Sequence, residues 1–80
     1  MNANCVNGSR LGFFFWSNEN DEPIHVHVEK GGADGKIWLE PVIQIAYMHE
    51  FTSKEQKTIM SIVTTNLLIF KQKWNEYFSQ

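Results

Sequence analysis

Eighty residues leave room for one hydrophobic core and no second domain, and a chain this short buries only about 60 to 65% of the surface its unfolded form exposes. A composition 42% hydrophobic, with six Phe, three Trp and two Tyr, excludes the disordered class. The formal charge of −2, with seven scattered Lys and Arg, gives no basic footprint, so direct nucleic-acid binding is not expected except through a partner. A lone cysteine, Cys5, cannot close an intramolecular disulfide, and the polar start Met1–Gly8 has neither a basic nor an apolar export signal; a cytoplasmic, membrane-free protein is the expectation.

In chain order, residues 1–9 read as a flexible segment and 10–80 as a single α+β domain. Leu11-Gly12-Phe13-Phe14-Phe15-Trp16 has high strand propensity with aromatics on both faces, which asks for cover on both sides. The polar stretch Ser17 to Pro23 leads into Ile24-His25-Val26-His27-Val28-Glu29, where apolar and polar residues alternate at period two, giving a strand over 24–30. Gly31-Gly32-Ala33-Asp34-Gly35 reads as the turn into a strand Lys36–Glu40. Pro41 then interrupts the ladder, and Val42–Tyr47 reads as a fourth strand, with a short helix as the other choice.

Thr52 with Glu55, or Ser53 with Gln56, matches a capping box, so a helix starts there. Ile59, Ile62, Val63, Leu67, Phe70, Trp74, Tyr77 and Phe78 recur at three- and four-residue steps, with Met60, Leu68 and Ile69 widening the stripe. Together they predict one long amphipathic helix of about 24 residues, bent near the weak helix formers Val63-Thr64-Thr65-Asn66. The expected fold is a three- or four-stranded antiparallel β-meander packed against that helix.

The most suggestive chemistry lies on the second strand. Period two sets Ile24, Val26 and Val28 toward the core and His25, His27 and Glu29 on the opposite face, which Trp38 and Phe14 or Trp16 share. Four readings compete. His25, His27, Glu29, Trp38 and Trp16 suit a protein partner or a second copy, because aromatic-rich patches dominate interface energy. His25 and His27 could instead ligate a metal, with a third ligand from Glu29, His49, Asp21 or a neighbouring chain. Either histidine could act as a general acid or base in a nuclease-like reaction, with Lys30 and Lys36 touching phosphate, although no nucleophile, phosphate loop or arginine cluster accompanies them. Packing alone, with both imidazoles cross-paired to Trp38 and the first strand, is the plainest account. The interaction reading ranks above the enzymatic one, and no cofactor is expected.

Several segments resemble a family of small bacterial proteins, domain-of-unknown-function family 4160. They are Gly12-Phe13-Phe14-Phe15 with Ser17-Asn18-Glu19, Pro23 leading to His25-Val26-His27-Val28-Glu29-Lys30-Gly31, Trp38-Leu39-Glu40-Pro41-Val42, and Trp74-Asn75-Glu76-Tyr77-Phe78. This chain has Pro23-Ile24 where the family more often has Pro-Pro, and Glu50-Phe51 where a Gly-Phe step is common. The resemblance implies a short cytoplasmic protein, often encoded beside another small protein as in toxin–antitoxin pairs, and it carries no activity.

Overall fold

The computed structural model describes residues 7–8, 10–16, 19 and 21–79. Most of the 1–9 segment, Cys5 included, lies outside them. Five strands form one antiparallel sheet in sequence order: β1 (Asn7–Gly8), β2 (Leu11–Phe14), β3 (His25–Lys30), β4 (Ala33–Trp38) and β5 (Gln44–His49). Two helices follow, α1 (Ser53–Thr65) and α2 (Leu67–Phe78). The α+β meander is as expected, with β1 added as a two-residue edge.

The β3–β4 hairpin is tighter than the five-residue turn read from the sequence. Only Gly31 and Gly32 separate Lys30 from Ala33, and Gly31 takes φ 59°, a conformation open to glycine without strain. Gly35 is a strand residue with a packing task instead. A Cβ there would meet Met48 Sδ at 2.7 Å, Tyr47 O at 3.1 Å and Val28 Cγ1 at 3.2 Å.

The cross-strand pairs Phe13↔Val28 and Val26↔Ile37 place the β-branched residues on the helix side. There they join Leu11, Phe15, Leu39, Phe51, Ile59, Val63, Phe70 and Trp74 in the buried core. The fourth strand of the sequence reading is a strand, shifted to Gln44–His49. Its pairing slips between Lys36 and Ile37, which oppose Tyr47 and Ile45, so Ala46 is the extra residue of a bulge.

The single long helix is a misreading: there are two. α1 starts on a capping box in which Glu55 N–H donates to Thr52 Oγ1 and Thr52 N–H donates to Glu55 Oε1, and it ends at Asn66. Asn66, at φ −108° and ψ 22°, leaves helical geometry where propensity is weakest, and both its backbone N–H and its side-chain amide donate to Ile62 O, at 3.0 and 2.8 Å. The stripe is also narrower than expected. Ile59, Val63, Phe70 and Trp74 are buried, whereas Leu68 and Ile69 are exposed. Among the described residues no helix is long and apolar enough to cross a membrane.

Candidate functional site

The alternation on β3 sorts the faces as expected, with His27 opposite Phe14 and Lys36, and His25 opposite Trp38, away from Val26 and Val28. The expected exposure is absent. His25 is fully buried and His27 is 4% exposed. Aromatic rings close around them: Phe14 stacks on His27 with centroids 5.5 Å apart, and Trp16 meets it edge-on at 5.9 Å. His25 lies between Trp38 at 5.4 Å and Trp74 of α2 at 5.0 Å, and touches His27 at 5.2 Å.

The remaining cover is Glu19. Two turn bonds, Glu19 N–H to Trp16 O at 3.3 Å and Glu22 N–H to Glu19 O at 3.2 Å, bring this residue back over the sheet. Its Oε1 lies 2.8 Å from His25 Nε2 and 2.7 Å from His27 Nε2. One carboxylate oxygen thus serves both rings, and the three ligand-type atoms lie within 4.8 Å of one another.

Hydrogen-bond donors constrain the tautomer. His25 Nδ1 is 2.8 Å from Pro23 O, and since a carbonyl only accepts, Nδ1 carries a proton and donates it. A neutral His25 therefore turns a bare Nε2 toward Glu19, itself an acceptor when ionised. At 2.8 Å those two atoms are close enough to share a proton, and a cation could stand between them only once the carboxylate withdraws. An imidazole fixed through Nδ1–H to a backbone carbonyl, presenting Nε2, is also the usual posture of a metal-ligating histidine.

Electrostatics keep Glu19 a base. Burial acts to raise its carboxyl, but hydrogen bonds from His25 and His27 and the attraction of both rings outweigh that, holding it below its ordinary value. Burial pushes the His27 imidazole below its ordinary value, against the pull of Glu19, and the nearby charges of His25 and Lys36 push the same way.

A second pair flanks the cluster. Lys36 Nζ donates to Glu22 Oε1 at 2.7 Å and lies 4.4 Å from the Trp38 ring centroid, while the same Glu22 oxygen is 3.8 Å from His25 Nδ1. Lys36 is thereby committed inside the protein, and Lys30 pairs with Glu55 at 2.8 Å.

Of the residues singled out in the sequence, the fold brings together His25, His27, Trp16 and Trp38. Glu29 and Asp21 are exposed, and His49 stacks on Tyr47 and meets Asp34 at 3.3 Å, at the far end of the sheet face. None of these three supplies the third ligand atom. Glu19 does, and sequence reasoning missed it: the residue stands in a polar connection without periodicity, and only the turn bonds at Trp16 and Glu22 bring it onto the sheet.

Residues 11–75 match the profile of a family described as Domain of unknown function (DUF4160). No curated protein and no solved structure matches the chain.

Proposed function

We propose that this chain, which belongs to the DUF4160 family, is a small metal-binding domain that holds one divalent transition-metal ion between Glu19, His25 and His27. The observation that carries this reading is the convergence of two imidazole Nε2 atoms on one carboxylate oxygen, with His25 already oriented through Pro23 O. Two nitrogens and one oxygen suit Zn²⁺, Co²⁺ or Fe²⁺ rather than Ca²⁺ or Mg²⁺. At ligand distances of about 2.0 to 2.2 Å, tetrahedral donors stand roughly 3.3 to 3.6 Å apart, so to admit an ion the carboxylate must withdraw by about half an ångström or more and the imidazole nitrogens, within 4.8 Å of each other, must draw together. Glu19 sits on a connection rather than a strand and keeps a partly exposed side chain, which leaves it that freedom. Three protein ligands leave a position for water or a small ligand, the arrangement a metal-dependent or nuclease-like activity, or a toxin component, would use with His25 and His27 in place.

The test is a Co²⁺ titration of chelator-stripped protein at neutral pH, followed by visible d–d absorption and calorimetry. Expected are one saturable site tighter than about 100 μM, displacement by Zn²⁺, and loss of the site in Glu19→Gln and His27→Ala, with circular dichroism reporting the fold. No saturable binding to the folded wild-type chain refutes the reading.

A second reading, interaction with another cytoplasmic protein in a toxin–antitoxin-like pair, has its own support. Trp16 is 42% exposed at the rim of the cluster, and Trp38 and Glu29 share that sheet face. His25 and His27 then hold the rim from beneath. Trp16→Ala weakening association with a co-expressed neighbour, while leaving Co²⁺ binding intact, would favour it.

A further inference from the structure

We propose that two copies of this chain associate edge to edge through β5, continuing the sheet across a two-fold axis and setting the two α1 helices side by side. The inference is independent of the metal reading. It begins with the edge itself: β5 is the last strand in the order and, among the described residues, pairs only with β4, so its outer row of N–H and C=O groups is open. Edges are ordinarily blocked by charged side chains or proline. From Val42 to His49 there is no Asp, Glu, Lys, Arg or Pro. The one blocking device is the bulge at Ala46, which divides the edge into short pieces. That opposes an extended fibril template more than a single pairing of a few bonds.

Apolar surface runs beside this edge. Ile45, 38% exposed, opposes Ile37 on the helix side of the sheet and, with Met60, Ser61 and Thr64, lines a groove of about 650 Å³ between β5 and α1. Past the helix break α2 adds apolar surface of its own, with Leu68 80% exposed. Lys71, a further turn along, reaches Glu40 at 3.3 Å, so this surface passes beside the segment that carries Val42, 63% exposed.

Three arguments select a second copy as the occupant. An uncharged strand meets its own antiparallel image without like-charge repulsion, and in two-fold packing of α1 the groove's one formal charge, Lys57, faces the far end of the other helix near Thr64 rather than the second Lys57. Six strand residues span about 20 Å; with the helix surface beside them they cover roughly 500 to 600 Å² per copy, near the lower bound for specific association, which fits a micromolar homodimer. Finally, a two-fold contact uses the same β5 edge of both copies and consumes it, so the assembly closes at two.

Sedimentation velocity on the full chain, from about 1 to 500 μM and with chelator present so that metal bridging cannot contribute, decides the matter. The expected result is a monomer–dimer equilibrium in the micromolar range, shifted at least tenfold toward monomer by Ile45→Lys and by Leu68→Lys. Leu68 is so exposed that its replacement leaves the fold intact even where Ile45→Lys does not. Slower hydrogen exchange of the Gln44–His49 amides at high concentration is the second expected result. A monomer throughout the range, or a dimer unmoved by either substitution, overturns the proposal.

Discussion

Glu50→Gly should stabilise this protein, and the structure sets the size of the effect. Glu50 joins β5 to α1 at φ 68°, in the left-handed region. An L side chain there costs roughly 1 to 2 kcal/mol against the right-handed conformation. Among the described residues the Glu50 carboxylate makes no ion pair to offset that. Glycine removes the cost but gains freedom in the unfolded chain worth about 0.5 to 1 kcal/mol, so at the middle of both ranges the net gain is about 0.7 kcal/mol. For a domain of this size that corresponds to a rise in unfolding temperature of roughly 3 to 6 °C. Thermal unfolding followed by circular dichroism in chelator measures it. An unchanged or lowered midpoint would refute the reasoning, because it would mean that the positive φ is not strained or that the Glu50 side chain makes a contact of comparable worth. Gly31→Ala, which installs a Cβ at φ 59°, supplies the opposite sign as a control.

Glu19→Gln should raise the Co²⁺ dissociation constant at least tenfold and, by weakening two charge-assisted hydrogen bonds, cost about 1 to 2 kcal/mol in chelator. Gly35→Ala should cost about 1 to 3 kcal/mol in urea unfolding, since Met48 and the β5 backbone must give way to the new Cβ. The metal-free protein should lose stability on acidification in two stages. His27 has its folded value lowered, so the unfolded chain binds the extra proton first and the loss begins as pH falls through the ordinary 6.5. Glu19 is also lowered, and its contribution fades as pH falls below the ordinary 4.5. Unfolding temperatures recorded from pH 8 to 3 in chelator would show this slope, and a flat profile between pH 7 and 5 would contradict the burial of a neutral His27 facing Glu19, His25 and Lys36.

How far the sequence carries depends on whether a feature repeats. The period-two alternation of β3 assigns Val26 and Val28 to the core and the histidines to the other face because each choice is reinforced by its neighbours, and the Thr52–Glu55 box marks the helix start through a local bond pattern. The break at Asn66 is half legible: weak propensity marks the region, but the departure of one residue from helical φ and ψ is a local event that periodicity does not register. Gly35 misleads because glycine signals a turn as readily as close packing, and only Met48 on the neighbouring strand tells the two apart. Leu68 and Ile69 look like core on composition, yet Phe70 and Trp74 already occupy the sheet-facing side of α2. Glu19 was out of reach because a carboxylate eight residues before His27 becomes its neighbour only through irregular turns.

The cluster itself separates packing from function. If Glu19, His25 and His27 served only to fill space, a domain of 80 residues would gain by replacing them, since a buried polar triad must recover its own desolvation before it stabilises anything, and apolar residues of similar volume often match or exceed it. The triple substitution Glu19→Val, His25→Leu, His27→Leu stays close to the original volume and adds aliphatic contacts to Phe14, Trp38 and Trp74. In chelator it should unfold at or above the wild-type temperature. With Zn²⁺ at about a hundredfold excess over the dissociation constant, the wild type should gain about 2.7 kcal/mol and the triple variant nothing. A triple variant that unfolds well below the wild type in chelator would show that the polar cluster stabilises the fold by its own hydrogen bonds; one that matches it there and fails only to respond to metal would place the reason for two buried histidines in what they bind.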